Sequence, residues 1–119
     1  MSSTLPLSAI AADVCVAPQL GPTAMSEAAR LGFRSVVNNR PDFEHGPDQP
    51  SSADMASAAA AAGIEYRHLP VGSGWQSPEE IAAMAALLQE LPRPLLMFCR
   101  SGARSAQLFQ AALHAADAA

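Results

Sequence analysis

The chain has 119 residues, half of them apolar and 15% charged, which suits one globular unit whose core is built mainly from Ala, Leu, Val, Ile and Met. Its formal charge of -4 and the absence of any Lys/Arg run exclude a duplex nucleic-acid binder, because nothing is there to neutralise a row of phosphates. The start MSSTLPLSAIAADV has no cationic stretch followed by a long apolar one, so neither a leader nor a membrane span is predicted; a cytoplasmic location and a single domain over 1–119 are expected.

Apolar runs and turn signals alternate along the chain. DVCVA (13–17) predicts a short strand, and PTAMSEAARLG, from Pro22, a helix that Gly32 can end in a left-handed conformation. RSVVNN (34–39) predicts a second strand. RPDFEHGPDQP (40–50) is a Pro- and charge-rich loop. Ser51 or Ser52 can cap a helix over SADMASAAAAAG that stops at Gly63, and IEYRHLPV (64–71) follows as a strand.

GSGW then makes a flexible corner. Ser77-Pro78-Glu79-Glu80 carries a capping box and a proline at the first helical position, and Ile81, Met84, Ala85 and Leu88 mark the buried face of the helix that follows. LLMF (95–98), uninterrupted and apolar, suits a central strand covered on both sides. From about Gly102 a last helix runs to the C-terminus, with Ala106, Phe109, Leu113 and Ala116 on its expected inner face. Alternating strands and helices with connections of this length imply an α/β fold, a mainly parallel sheet with helices on both faces and ligands at the carboxyl ends of its strands.

Chemistry concentrates in FCRSGARS (98–105). A strand feeding this loop and then a helix places backbone N–H groups in an arc at a helix N-terminus, which favours an anion. Cys99 in such an arc loses its proton readily and becomes a nucleophile near neutral pH. Arg100, Ser101, Gly102 and Ala103 supply the arc, Arg104 the planar fork for an oxyanion, and Ser105 a further hydrogen bond. Arg40 is the best candidate for extra anion binding, while Asp42 or Glu44 could act only if their loop folds over Cys99. Cys15 and Cys99 have no CxxC or His/Cys spacing, so both are expected as free thiols, without metal or cofactor. Cys15 is expected buried in its strand, and His68 as a hydrogen-bonded histidine of the interior. Trp75 is expected either to wall the pocket or to cover an edge of the core.

CRSGARS resembles the active-site loop of rhodanese-type sulfurtransferases, with four residues between Cys and Arg, one fewer than in cysteine phosphatases. VAPQLGP (16–22), LGFRSVVNNRPDFE (31–44), AAAAGIEYRHLPV (59–71) and FCRSGARS together resemble the DUF442 family, the phosphatase-like domain of β-lactamase-hydrolase-like proteins, which implies a cysteine-phosphatase-like fold. Related domains occur beside persulfide-oxidising enzymes, which this resemblance offers as a partner. In dual-specificity phosphatases an Asp commonly follows the strand corresponding to EYRHLPV; here that region is GSGW.

Loop length and the missing Asp favour a rhodanese-like sulfurtransferase. Cys99 would take sulfane sulfur from a small donor as a persulfide and pass it to a thiol acceptor. The alternatives are a cysteine-dependent phosphatase working through a Cys99 phosphocysteine, and an oxyanion-binding module without catalysis.

Overall fold

The computed structural model describes residues 5–118; the first four residues of the stretch searched above for a leader, and Ala119, lie outside them. The elements are β1 (Ser8–Ala11), β2 (Val14–Ala17), α1 (Ala24–Arg30), β3 (Ser35–Asn38), α2 (Ser52–Ala62), β4 (Glu65–His68), α3 (Pro78–Glu90), β5 (Leu95–Phe98) and α4 (Ala103–Ala118). The strands form one five-stranded sheet in the order β1-β2-β5-β3-β4. All pairs are parallel except β1 with β2.

β5 is the middle strand, and its side chains explain the unbroken apolar run. Leu95 and Met97 point into one cluster, with Met84 of α3 and Leu108, Phe109 and Ala112 of α4. Leu96 and Phe98 point the other way, into a cluster with Ala24, Met25 and Ala28 of α1 and Met55 and Ala59 of α2. A strand covered by helices on both sides has no polar face to alternate with.

The helix boundaries follow local chemistry. Ser51 accepts a hydrogen bond from the Asp54 N–H (3.1 Å), and Gly63 ends α2 with φ +78. At α3 both halves of the capping box form, with the Glu80 N–H donating to Ser77 Oγ (3.1 Å) and the Ser77 N–H to Glu80 Oε1 (2.8 Å). Beyond α1, Gly32 takes φ +99 and its N–H closes on the Ala29 carbonyl.

Three expectations need correction. β1 was not predicted: SAIA lacks alternation, and it forms a bulged edge strand held from one side only. The strand predicted over 64–71 is regular only over Glu65–His68, although the Leu69 and Val71 N–H groups still reach the Asn38 and Asn39 carbonyls. The inner face of α4 runs through Ser105, Leu108, Phe109 and Ala112; Leu113 is 39% exposed and Ala116 is exposed as well. With alanines all round this helix, Phe109 fits two adjacent stripes, and only packing against α3 selects between them.

Leu96→Ala, in the centre of the sheet, is expected to destabilise the protein by about 2–5 kcal/mol. Leu113→Ala should stay within about 0.5 kcal/mol. Urea denaturation of the two variants measures both, and equal losses would contradict the assigned face of α4.

Candidate active site

β5 ends at Phe98, and the chain continues as Cys99-Arg100-Ser101-Gly102 before α4 begins at Ala103. Gly102 makes the turn with φ +96, and a Cβ there would lie 3.5 Å from the Ala17 backbone, so both angle and space call for glycine. Its N–H donates to Cys99 Sγ at 3.1 Å. Cys99 is buried, and burial by itself pushes a thiol pKa up. Hydrogen bonds from the backbone N–H groups of Ser105, Gly102 and Ser101, with the Ser105 hydroxyl close by, outweigh it, and the Cys99 pKa lies below its ordinary value. Cys15 lacks such donors: burial raises its pKa, and it packs, partly buried, in the cluster facing α1 and α2.

Arg104 is buried and held at several points. Nη1 donates to the Val71 carbonyl (2.9 Å) and to Glu44 Oε2 (3.0 Å), and Nη2 donates to Glu44 Oε1 (3.2 Å). Arg104 Nε, by contrast, is buried with no hydrogen-bond partner. Buried donors are nearly always satisfied, so this N–H is free to meet a bound anion. Arg40, also buried, donates from Nε to Glu44 Oε1 (2.9 Å) and from Nη1 to Gln19 Oε1 (3.0 Å). Burial tends to raise the Glu44 pKa, but the hydrogen bonds from Arg104 and Arg40 prevail and hold it below the usual carboxylate range.

The structure thus brings Cys99, Gly102, Arg104, Ser105 and Arg40 into one connected cluster. Arg100 and Ala103 are exposed; the Arg100 carbonyl accepts from the Gln19 N–H (3.2 Å), and the Ala103 N–H donates to Ser101 Oγ (3.3 Å). The loop carrying Glu44 does fold over the site, yet Glu44 serves there as a bridge between two arginines. Asp42 instead accepts from the Ser52 N–H (2.7 Å) at the start of α2. His68 is hydrogen-bonded through Nε2 to the Arg40 carbonyl (2.8 Å), but it is only partly buried. Trp75 neither covers the core nor walls a closed pocket: it is 76% exposed.

Sequence reasoning missed Asn39 and Gln19. Asn39 is fully buried at the carboxyl end of β3, where Oδ1 accepts from Ser105 Oγ (2.8 Å) and Nδ2 donates to the Leu69 carbonyl (3.0 Å). The Asn-Asn pair closing RSVVNN was the available signal, since amides at the ligand end of a strand are rarely idle. Among the described residues no three His, Cys, Asp or Glu side chains gather as metal ligands; the donors assembled here suit an anion.

A mainly parallel sheet whose middle strand leads into a cysteine held in an N–H arc, with an arginine at the start of the helix that follows, is the arrangement of a cysteine-phosphatase-like fold. The sequence profile of the phosphatase-like domain of β-lactamase hydrolase-like proteins matches residues 6–118, and the chain belongs to that family. A β-lactamase hydrolase-like protein of Agrobacterium fabrum is 36% identical over 78 residues, which are 66% of this chain and 18% of that protein. The chain therefore spans less than a fifth of that relative's length. Among solved structures, a candidate phosphatase of Neisseria meningitidis superposes with TM-score 0.77 at 26% identity, covering 85% of this chain and 71% of that one. A DUF442 candidate phosphatase of Shewanella putrefaciens gives TM-score 0.73 at 20% identity, over 87% and 64% of the two chains.

These findings overturn the sulfurtransferase expectation in favour of its phosphatase alternative. The expectation rested on the length of the Cys99 loop and on the missing Asp after β4, and the family match outweighs both.

Two measurements check this electrostatic picture. Thiolate absorbance should show Cys99 ionising well below Cys15, with the lower transition absent in Cys99→Ser and moved up in Ser105→Ala. Because the Glu44 pKa is depressed in the folded protein, its ion pairs stabilise the fold above the ordinary carboxylate pKa, and that contribution is lost as pH falls through the lowered value. Glu44→Gln is therefore expected to lower stability at neutral pH and to flatten the stability curve only below the ordinary Glu pKa of about 4.3.

Proposed function

We propose that the chain hydrolyses phosphate monoesters through a phosphocysteine at Cys99. The observation that carries this reading is a buried thiol with a lowered pKa beside a buried arginine N–H that has no partner. The Cys99 thiolate attacks phosphorus; a P–S bond forms as the P–O bond to the leaving group breaks, and the departing oxygen keeps the electron pair. Water then attacks phosphorus, the P–S bond breaks, inorganic phosphate leaves and the thiolate is restored. The N–H arc that stabilises the thiolate also suits the phosphoryl oxygens, and Arg104 Nε can donate to one of them.

Glu44 and Asn39 act through their neighbours. Glu44 fixes the guanidinium planes of Arg104 and Arg40, and Asn39 holds the Ser105 hydroxyl beside the sulfur. Family membership supports the same reading, since the matched domain is described as phosphatase-like.

The test is turnover of p-nitrophenyl phosphate together with mass spectrometry of rapidly quenched protein. A phosphoryl group on the Cys99 peptide is expected, and Cys99→Ser should lose both turnover and adduct. Arg104→Lys should lower kcat/KM by about 10²- to 10³-fold, because an ammonium cannot keep the Val71 and Glu44 bonds and present a further N–H in the same plane. A wild-type protein that neither turns over the ester nor carries the adduct would overturn the proposal.

A further inference from the structure

Resting on the phosphatase reading, we infer that Asn39 is a positioning residue that competes with the Cys99 sulfur for the single hydroxyl proton of Ser105, and so restrains breakdown of the phosphocysteine. Asn39 is fully buried at the carboxyl end of β3. Its N–H donates to the Phe98 carbonyl (2.8 Å) and its carbonyl accepts from the Val71 N–H (3.0 Å), which fastens the residue between β5 and the chain beyond β4. The side chain is fixed as firmly. Nδ2 donates to the Leu69 carbonyl (3.0 Å), and a carbonyl can only accept, so Oδ1 is the atom that faces Ser105. Oδ1 in turn can only accept, and Ser105 Oγ donates to it at 2.8 Å.

A hydroxyl has one proton to give. Ser105 Oγ also lies close to Cys99 Sγ, because the N–H of the same residue donates to that sulfur. An uncharged sulfur is a weak acceptor, so the proton stays on the Asn39 side. Breakdown of the phosphocysteine reverses that order: water attacks phosphorus, the P–S bond breaks, and sulfur departs with the electron pair as a thiolate, a charged and stronger acceptor. The hydroxyl keeps its proton and turns to the thiolate, which leaves Asn39 Oδ1 buried without a donor. That loss subtracts from the stabilisation the leaving sulfur receives.

Asn39→Leu keeps the size of the side chain and removes the competing acceptor. The readouts are thiolate absorbance of the free protein and rapid-quench measurement of the phosphocysteine formed from p-nitrophenyl phosphate. Cys99 is expected to ionise at lower pH than in the wild type, and the phosphocysteine to break down about 2- to 10-fold faster. A residue that only steadied the loop would give the opposite signs when removed. Both changes should vanish when Asn39→Leu is combined with Ser105→Ala, because the competition needs the hydroxyl. In the wild-type protein, which needs no variant to fold, the carboxamide carbon resonance of Asn39 should shift as Cys99 ionises. That of Asn38, which is bonded instead to the Arg40 N–H and the Tyr66 hydroxyl, should stay in place.

Cys99 ionisation unchanged or moved up in Asn39→Leu, slower breakdown of the adduct, or an Asn39 resonance that does not move would overturn the inference and leave the phosphatase reading standing. A wild-type protein without phosphocysteine would remove that reading, and the claim that Asn39 restrains its breakdown would fall with it.

Discussion

A sulfur anion buried at the end of a central strand is unfavourable unless directed donors replace the water it has lost. Cys99 meets that condition through the N–H groups of Ser101, Gly102 and Ser105. Much of the surrounding architecture holds those donors in place. Gly102 turns the chain within 3.5 Å of Ala17, α4 begins at once so that its N-terminal amides face the loop, and Asn39 anchors Ser105 from the neighbouring strand. The burial of LLMF on both sides belongs to the same arrangement, because a strand with no exposed face brings its carboxyl end to a fixed point of the sheet.

The arginines answer a second constraint. A buried guanidinium needs partners that fix its orientation, and Glu44 supplies them by accepting from Arg40 and Arg104 together. The consequence is asymmetric: Glu44 is occupied by both arginines, yet it leaves Arg104 Nε without a partner. One carboxylate thus fixes the orientation of both guanidinium groups. The depressions lined by Gly32, Phe33, Gly63 and Ile64 sit at the amino ends of β3 and β4, away from this chemistry.

Elements that depend on local signals were legible in the chain itself. The capping box at Ser77, the stops at Gly32 and Gly63, the two-sided burial of LLMF and the Cys99 loop all rest on chemistry within a few residues. β1 carried no such signal, since a bulged edge strand of small residues is stabilised only by its partner. Nor did the inner face of α4, where alanine on every side leaves the choice to packing against α3.

Within the site the division is the same. The sequence by itself determined the cysteine of the loop, the glycine turn and the arginine that follows, because an arc of N–H groups around a side chain is built from consecutive residues. Tertiary structure alone decided that Asn39 steadies the arc and that Glu44 joins Arg40 to Arg104. Asn39–Ser105 and Glu44–Arg104 cross 66 and 60 residues of sequence respectively, and pairings between polar side chains at such separations obey no local spacing rule. They exist only once the parallel crossovers have brought the carboxyl ends of β3 and β5 side by side.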